Sequence, residues 1–456
     1  MFIGREKELK LLDTKINSNK FEFGIVYGRR RIGKTRLLQE VVKKYNAIYY
    51  VANEMGLEYN LSQLSVAVAR YFGEPYSFNS FEQLFEYLVK KSSEQKIILM
   101  IDEFTYLMST NKEILSVIQN IIDQILIDSN MKLIISGSHV GMIEDALSYK
   151  KPLYGRSTFK LKVEPFDYYD CAQFYPNVSS EDKVRLYSVF GGVPFYASKI
   201  DESKSVKENI LSLILEDGAI FEDEISFFLS QEVRSIATYG KIINAIANGA
   251  TRLNEISTKS GAVNTGTTSK YLDTLITLGI VEKEYCFGES TNSKKTIYKV
   301  KDQLFNFYYT FIEKNKTSKV IMQTDIFYDQ FISTHLDEFV SFEFEKVCSD
   351  FLKRKYISSI EEIGRYWYND SREKKDIEID IVMKESGKLF AFECKWTNSV
   401  IDEKIKRDLE NKSMYLSKEQ VIVGFFSRSG YDAKLLDEMC YTINDLYQTD
   451  LEISNK

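Results

Sequence analysis

Two stretches of this 456-residue chain hold residue types at spacings that suit phosphate chemistry. The first is GRRRIGKT, from Gly28 to Thr35, which follows the apolar run FGIVY and precedes a helical pattern. It fits G-x-x-x-x-G-K-[ST] in the context that pattern requires, strand then loop then helix. Gly28 and Gly33 let backbone N–H groups approach phosphate oxygens, Lys34 would bridge the outer phosphates, and the Thr35 hydroxyl would hold Mg²⁺ at a helix N-terminus. Arg29, Arg30, Arg31, Ile32 and Arg36 complete the predicted nucleotide cradle. A bare Gly-Lys turn ahead of a helix has similar text, and the flanking strand and helix argue against it.

The run KIILMIDEF ends an apolar strand in Asp102 and Glu103, so both carboxylates should emerge at the carboxyl edge of the sheet, where the loop also lies. Asp102 would hold Mg²⁺ through its water shell, and Glu103 would orient and polarise the attacking water. A solvated strand end reads the same way in isolation; beside GRRRIGKT the pair becomes specific. A second acid favours hydrolysis over phosphoryl transfer to a small molecule, because water needs an activating base. The next strand ends in IISGSHV, where Ser136 or Ser138 could sit between water and γ-phosphate, although a Ser-Gly-Ser turn explains the text equally well. Arg156 in LYGRS is the candidate for stabilising transition-state charge, in competition with Arg29, Arg30 and Arg31. Supplied by a neighbouring copy, it would make the chain a homo-oligomer. No N-K-x-D guanine-reading motif follows the carboxylate strand, so ATP is the expected nucleotide.

The second stretch is EIDIVMKESGKLFAFECKW. It places Asp380 on one strand and Glu393-Cys394-Lys395 on the next, joined by a turn containing Gly387. Strand alternation puts Glu393 and Lys395 on one face, with Asp380 within reach from the adjacent strand. Two carboxylates and a lysine suit metal-dependent phosphodiester cleavage, with Asp380 and Glu393 as metal ligands and Lys395 steering or activating water. The constellation resembles the D-…-E-x-K core of restriction-endonuclease-like folds, and Glu345 in FEFEKV matches the extra acidic residue that this resemblance implies. A surface Glu–Lys pair on an amphipathic hairpin is the competing reading.

These residues need elements to carry them. The chain alternates short apolar runs and helical patterns from Phe21 to about Val163, which predicts an α/β core with a parallel sheet. Its strands are FEFGIVY, IYYVA, IILMI, KLIIS and FKLKV. The expected division is a P-loop NTPase core over 1–164, a helical lid over 165–239, a winged helix over 240–300, a connector over 301–334 and an α/β nuclease-like domain over 335–456. In the lid, KENILSLILEDGAIF and ISFFLSQEV keep helical spacing. Three helical patterns and a hairpin, IVEKEYCFG to KKTIYKV, make the winged form of helix-turn-helix. Its third helix opens near Thr265 to Lys270 with small hydrogen-bonding residues suited to DNA contact. Only Arg252, Lys259, Lys270, Lys294 and Lys295 accompany them, against acids that include Glu282 and Glu284. The basic clusters FLKRKY, SREKK and EKIKRD could follow a phosphate backbone or serve as solvated helix faces.

Composition bounds the alternatives. Hydrophobic residues make up 44% and charged residues 28%, the balance of a globular protein. There is no run of ~18 apolar residues for a membrane span, and MFIGREKELK lacks a secretory signal's apolar stretch, so a cytoplasmic location is expected. The five cysteines are widely spaced with no C-x-x-C pair, which argues against disulfides and zinc. Two histidines leave acid–base work to carboxylates, Lys and Arg. A net charge of −6 restricts any DNA-binding face to a local patch.

Taken together, FIGREKEL, GRRRIGKT, LMIDEFTYL, IISGSHVGMI, PLYGRST, GGVPFY and EIDIV to FECKW resemble a family of prokaryotic, predominantly archaeal AAA+/STAND-like ATPases. Its members carry a winged-helix segment and a C-terminal domain resembling restriction endonucleases. The resemblance spans nearly the whole chain. It implies that Gly4, Arg5 and Glu6 pack beside the adenine, and that the Gly192-Val193-Pro194 turn couples nucleotide to domain movement. It also implies either an ATPase acting with DNA or a nucleotide-controlled switch whose C-terminal domain docks a partner.

Overall fold

The computed structural model describes residues 2–261, 264–290, 293, 295–370, 375–417, 420–435 and 439–448. The chain forms two compact units, residues 1–165 and 166–456.

In the first unit, α1 (Glu6–Ile16), β1 (Glu22–Tyr27), α2 (Lys34–Tyr45), β2 (Ile48–Val51), α3 (Leu57–Phe72) and α4 (Phe81–Ser92) lead to β3 (Ile98–Asp102). Then come α5 (Thr105–Thr110), α6 (Ile114–Ile121), β4 (Lys132–Gly137), α7 (Val140–Ala146) and β5 (Phe159–Lys162). The five strands form one parallel sheet in the order β2-β3-β4-β1-β5. The three central strands are buried along their whole length, which is why they read as continuous apolar runs, whereas edge strands β2 and β5 carry exposed positions. β4 therefore lies between the strand leading into the phosphate loop and the strand ending in Asp102. The helix α6 runs on as a π-helical turn, Ile122–Leu126.

The second unit opens with short helices: α8 (Tyr168–Ala172), α9 (Ser180–Phe190), α10 (Pro194–Ala197), α11 (Val206–Ile210) and α12 (Glu224–Glu232). The helical spacing of KENILSLILEDGAIF overreaches. After a π turn at Leu211–Leu215 the chain turns extended at Glu216, and Gly218 takes φ 76°, so an Asp-Gly break ends the helix before its apolar period does.

Three helices follow, α13 (Ile236–Ala247), α14 (Leu253–Ser260) and α15 (Thr265–Thr277), then the antiparallel hairpin β6 (Val281–Tyr285) and β7 (Thr296–Val300). The connector is itself helical, with α16 (Gln303–Phe307), α17 (Lys316–Ile321) and α18 (Thr324–Tyr328). Last come α19 (Leu336–Lys355), β8 (Ile360–Asp370), β9 (Lys375–Glu385), β10 (Lys388–Lys395), α20 (Glu403–Ser413), β11 (Val421–Ser427) and β12 (Met439–Thr442). These strands make a mixed sheet, β12-β11-β10-β9-β8, antiparallel from β8 to β10 and parallel beyond. Ile379, Val382, Ala391, Leu409 and Phe425 form its apolar core.

Candidate functional site

The loop from Gly28 to Gly33 joins β1 to α2. A methyl group on Gly28 would meet the Val163 carbonyl oxygen at 2.4 Å, so only glycine lets the loop leave the sheet there. Gly33 caps α2 at φ 92° without a capping side chain, which suits a helix N-terminus that faces an anion. Lys34 is buried and its Nζ donates to the carbonyls of Gly28 at 2.9 Å and Arg29 at 3.1 Å. The ammonium thus lies folded over the loop that it would leave for a phosphate.

The strands β2, β3 and β4 supply the rest of the geometry. Thr35 Oγ1 donates to Asp102 Oδ2 at 2.8 Å. Tyr49 from β2 donates to the same oxygen at 2.6 Å, and Ser136 donates to Oδ1. Asp102 is buried, so these bonds compensate its charge. Thr35 and Asp102 are hard oxygen donors side by side, a set that fits Mg²⁺, which keeps several waters and takes few protein ligands. Glu103 adopts φ 52° and its backbone N–H donates to Asp102 Oδ1 at 3.0 Å and Ser136 Oγ at 3.3 Å. Ser138 then donates to Glu103 Oε2 at 2.7 Å. The structure brings Lys34, Thr35, Asp102, Glu103, Ser136 and Ser138 to one edge of the sheet.

The leading segment closes on the loop. Gly4 and Arg5 take φ 60° and 71°, and the buried Arg5 guanidinium donates to Ile32 O at 3.1 Å while pairing with Glu8 at 2.9 Å. Arg31 takes φ 66° in the loop, Arg30 reaches Tyr106 at 3.5 Å, and exposed Arg36 lies 3.9 Å from Glu40. Arg156 is engaged elsewhere: its guanidinium binds Asp123 through two bonds, 2.9 and 2.7 Å, and the Pro152 carbonyl at 2.8 Å. Tyr49 was missed from the sequence. Its one signal is a hydroxyl near the carboxyl end of a strand that neighbours β3.

In the second unit, Phe392 pairs with Ile381 across β10 and β9, which sets Asp380 and Glu393 one step along the same ladder. Cys394 N–H donates to Asp380 Oδ2 at 2.8 Å. Glu393, buried, pairs with Lys395 at 2.6 Å and with Lys412 of α20 at 3.4 Å. Burial first, and then the charge of Glu393, push the Asp380 carboxyl above its ordinary range. Burial and the charge of Asp380 do the same to Glu345 on α19. Arg365 on β8 lies 3.8 Å from Glu345 and pairs with Glu378. The predicted carboxylates and lysine converge, but among the described residues no group of three His, Cys, Asp or Glu side chains is placed to hold a metal. As arranged, guanidinium and ammonium groups compensate these carboxylates. Neither Arg365 nor Lys412 was legible beforehand, and β8 itself was not anticipated as a strand. Lys294, and Ser371 to Lys374 of the SREKK cluster, lie outside the described residues.

A profile of an ATPase domain predominantly from Archaea matches residues 2–200. A second, of archaeal and bacterial proteins of unknown function, matches residues 308–409. An uncharacterized protein of Methanocaldococcus jannaschii is 34% identical over 426 residues, covering 91% of this chain and 92% of its own. An uncharacterized ATP-binding protein of the same organism is 46% identical over 43 residues, 9% of this chain and 73% of its own. Among solved structures, the Walker-type ATPase of Pyrococcus abyssi is similar with a TM-score of 0.52 at 19% identity, covering 68% of this chain and 96% of that one. No helix among the described residues is long and apolar enough to cross a membrane.

Proposed function

Since the chain belongs to the family of ATPases found predominantly in Archaea, we propose that it hydrolyses ATP with Mg²⁺ held by Thr35 and, through water, Asp102. In this reading Lys34 and the backbone from Gly28 to Gly33 bind the phosphates. Glu103, steered by Ser138, orients the attacking water. The observation that carries the reading is the Thr35–Asp102 bond of 2.8 Å with Ser138 on Glu103 at 2.7 Å. It joins the start of α2 to the ends of β3 and β4 in one network.

Nucleotide state, in this proposal, controls engagement of DNA by the second unit. The three-helix and hairpin segment is the candidate DNA-binding arm, and Asp380, Glu393 and Lys395 are the candidate phosphodiesterase residues. Support comes from the helix–three strands–helix–strand succession, α19 to β11, and from the convergence of those side chains on neighbouring strands. As arranged these residues do not fit a metal, since among the described residues no group of three candidate ligands converges. Arg156, bound to exposed Asp123, would be released to a neighbouring copy's nucleotide.

A switch without DNA cleavage is the second reading. It is favoured by the close approach of Gly192 to Phe166, where a Cβ would lie 1.8 Å from the carbonyl oxygen. A backbone contact this tight suits a hinge that is either closed or open. The experiment measures ATP turnover by purified protein with Mg²⁺, with and without duplex DNA, scoring cuts in the same tube. Stimulated turnover with cutting supports the DNA reading. Slow turnover indifferent to intact DNA favours the switch.

A further inference from the structure

The hairpin is docked. Phe287, just beyond β6, packs against the apolar core of the C-terminal sheet, and its N–H donates to the Arg365 carbonyl at 2.8 Å. Gly288 N–H donates to Glu362 Oε1 at 2.9 Å, and Trp367 N–H donates to Cys286 Sγ at 3.4 Å. All three contacts fall on β8, the edge strand of that sheet, so the hairpin end covers backbone groups that an edge otherwise leaves open.

Arg365 links this docking to the carboxylates. Its backbone holds the hairpin while its guanidinium lies among Glu378, Glu345 and the charge of Asp380. The side chain is only 14% exposed, and Nε is buried with no hydrogen-bond partner among the described residues. A buried donor left unpaired is costly, so ion pairing with carboxylates, more than hydrogen-bond fit, holds the group where it is. An arginine cannot shed its proton there, and a fixed positive charge 3.8 Å from Glu345 opposes entry of a second cation. Between hairpin and sheet lies a cavity of about 1370 Å³, walled in part by Glu284, Lys299, Glu345, Arg365, Glu378 and Asp380. Glu345, Glu378 and Asp380 thus have room beside them for a hydrated ion, and the guanidinium of Arg365, paired with the first two, shares that wall.

We propose that Arg365 is a built-in counter-ion of the C-terminal carboxylate site, held by the docked hairpin, and that release of the hairpin lets a divalent cation replace it. The inference rests on the reading of Asp380 as a metal ligand. It accounts for a site that has the residues for a metal without the arrangement for one.

The test is Mn²⁺ binding by nucleotide-free, full-length protein, read as free Mn²⁺ by electron paramagnetic resonance. Arg365→Met keeps the apolar stem and removes the charge. It should bind Mn²⁺ about tenfold tighter than wild type, the gain expected if the blocked state holds about nine-tenths of the molecules. Adding Asp380→Asn should abolish that gain. A second measurement needs no charge change. A Cβ on Gly364 would lie 4.0 Å from Phe287 Cβ, within disulfide range. In a Cys286→Ser background, Phe287→Cys with Gly364→Cys should bind Mn²⁺ more weakly when oxidised than when reduced. Equal Mn²⁺ affinity in wild type and Arg365→Met, lost from both with Asp380→Asn, would overturn the counter-ion role and leave the metal reading standing. If no variant binds Mn²⁺ through Asp380, the metal reading falls and the inference falls with it.

Discussion

Ser138 Oγ donates to Glu103 Oε2 at 2.7 Å while the Glu103 backbone sits in the left-handed region at φ 52°. A non-glycine residue held there costs on the order of 1 kcal/mol, and here Asp102 Oδ1 and Ser136 Oγ hold it through the Glu103 N–H. The carboxylate is aimed in advance by a strained backbone and a neighbouring strand's hydroxyl.

Glu103→Gln should bind ATP yet lose hydrolysis by roughly 10²- to 10⁴-fold, the usual contribution of a positioned base. Ser138→Ala should lose less, about tenfold, because the carboxylate remains and only its aim loosens. Single-turnover hydrolysis with separate nucleotide-binding titrations checks both; undiminished turnover in Glu103→Gln would remove the water-activating role.

Tyr49 shares Asp102 Oδ2 with Thr35. Tyr49→Phe should raise the Mg²⁺ concentration needed for half-maximal turnover by a few-fold, up to about tenfold, as expected from one hydrogen bond worth ~0.5–1.5 kcal/mol. Thr35→Ala, which removes a proposed direct ligand, should shift it further. Mg²⁺ titrations of ATP turnover separate the two.

The two tight glycines should behave differently from one another. A Cβ on Gly28 would stand 2.4 Å from Val163 O in the first unit, and one on Gly192 1.8 Å from Phe166 O in the second. Gly28→Ala should abolish nucleotide binding. Gly192→Ala should lower the melting temperature through overpacking of ~1–3 kcal/mol or more. Thermal melts with and without ATP distinguish a lost site from a weakened fold.

Asp337 joins α9 to the C-terminal sheet, accepting from Arg185 at 3.2 Å, Trp396 at 3.1 Å and Arg428 at 2.8 Å. Burial works against its charge, but Trp396 and the two guanidiniums outweigh it and hold the carboxyl below its ordinary range. The stabilisation is therefore present above the unfolded pKa of about 3.9 and is lost as pH falls through the lower folded value. Asp337→Asn should melt earlier than wild type at pH 7, with the gap narrowing towards pH 3. A gap independent of pH would remove the charge from the explanation.

Much of the first site was legible because its parts are local. Eight consecutive residues from Gly28 to Thr35, with a buried strand before and a helix after, specify a phosphate loop without reference to the rest of the chain. Asp102 and Glu103 were legible for the same reason, as polar residues ending an apolar run. The helix predicted over KENILSLILEDGAIF, which stops at Glu216, was misjudged because apolar spacing continues past the Asp217-Gly218 break. Arg156 was read as the candidate for stabilising transition-state charge, and its pairing with Asp123, a residue of the π turn 33 positions earlier, is a contact that periodicity does not show.

By itself, the sequence determined the parallel-sheet core, the loop and the two carboxylate pairs, because contiguous pattern and side-chain chemistry suffice for each. Tertiary structure alone decided that β4 lies between β1 and β3, which carries Ser136 and Ser138 to the carboxylates, and that Tyr49 shares Asp102. It also decided that Phe287 docks on Arg365, 78 residues away, and that Arg365 confronts Glu345 and Glu378. Strand order, register and edge pairing are non-local: they follow from which apolar faces bury one another, and no window of neighbouring residues contains that information.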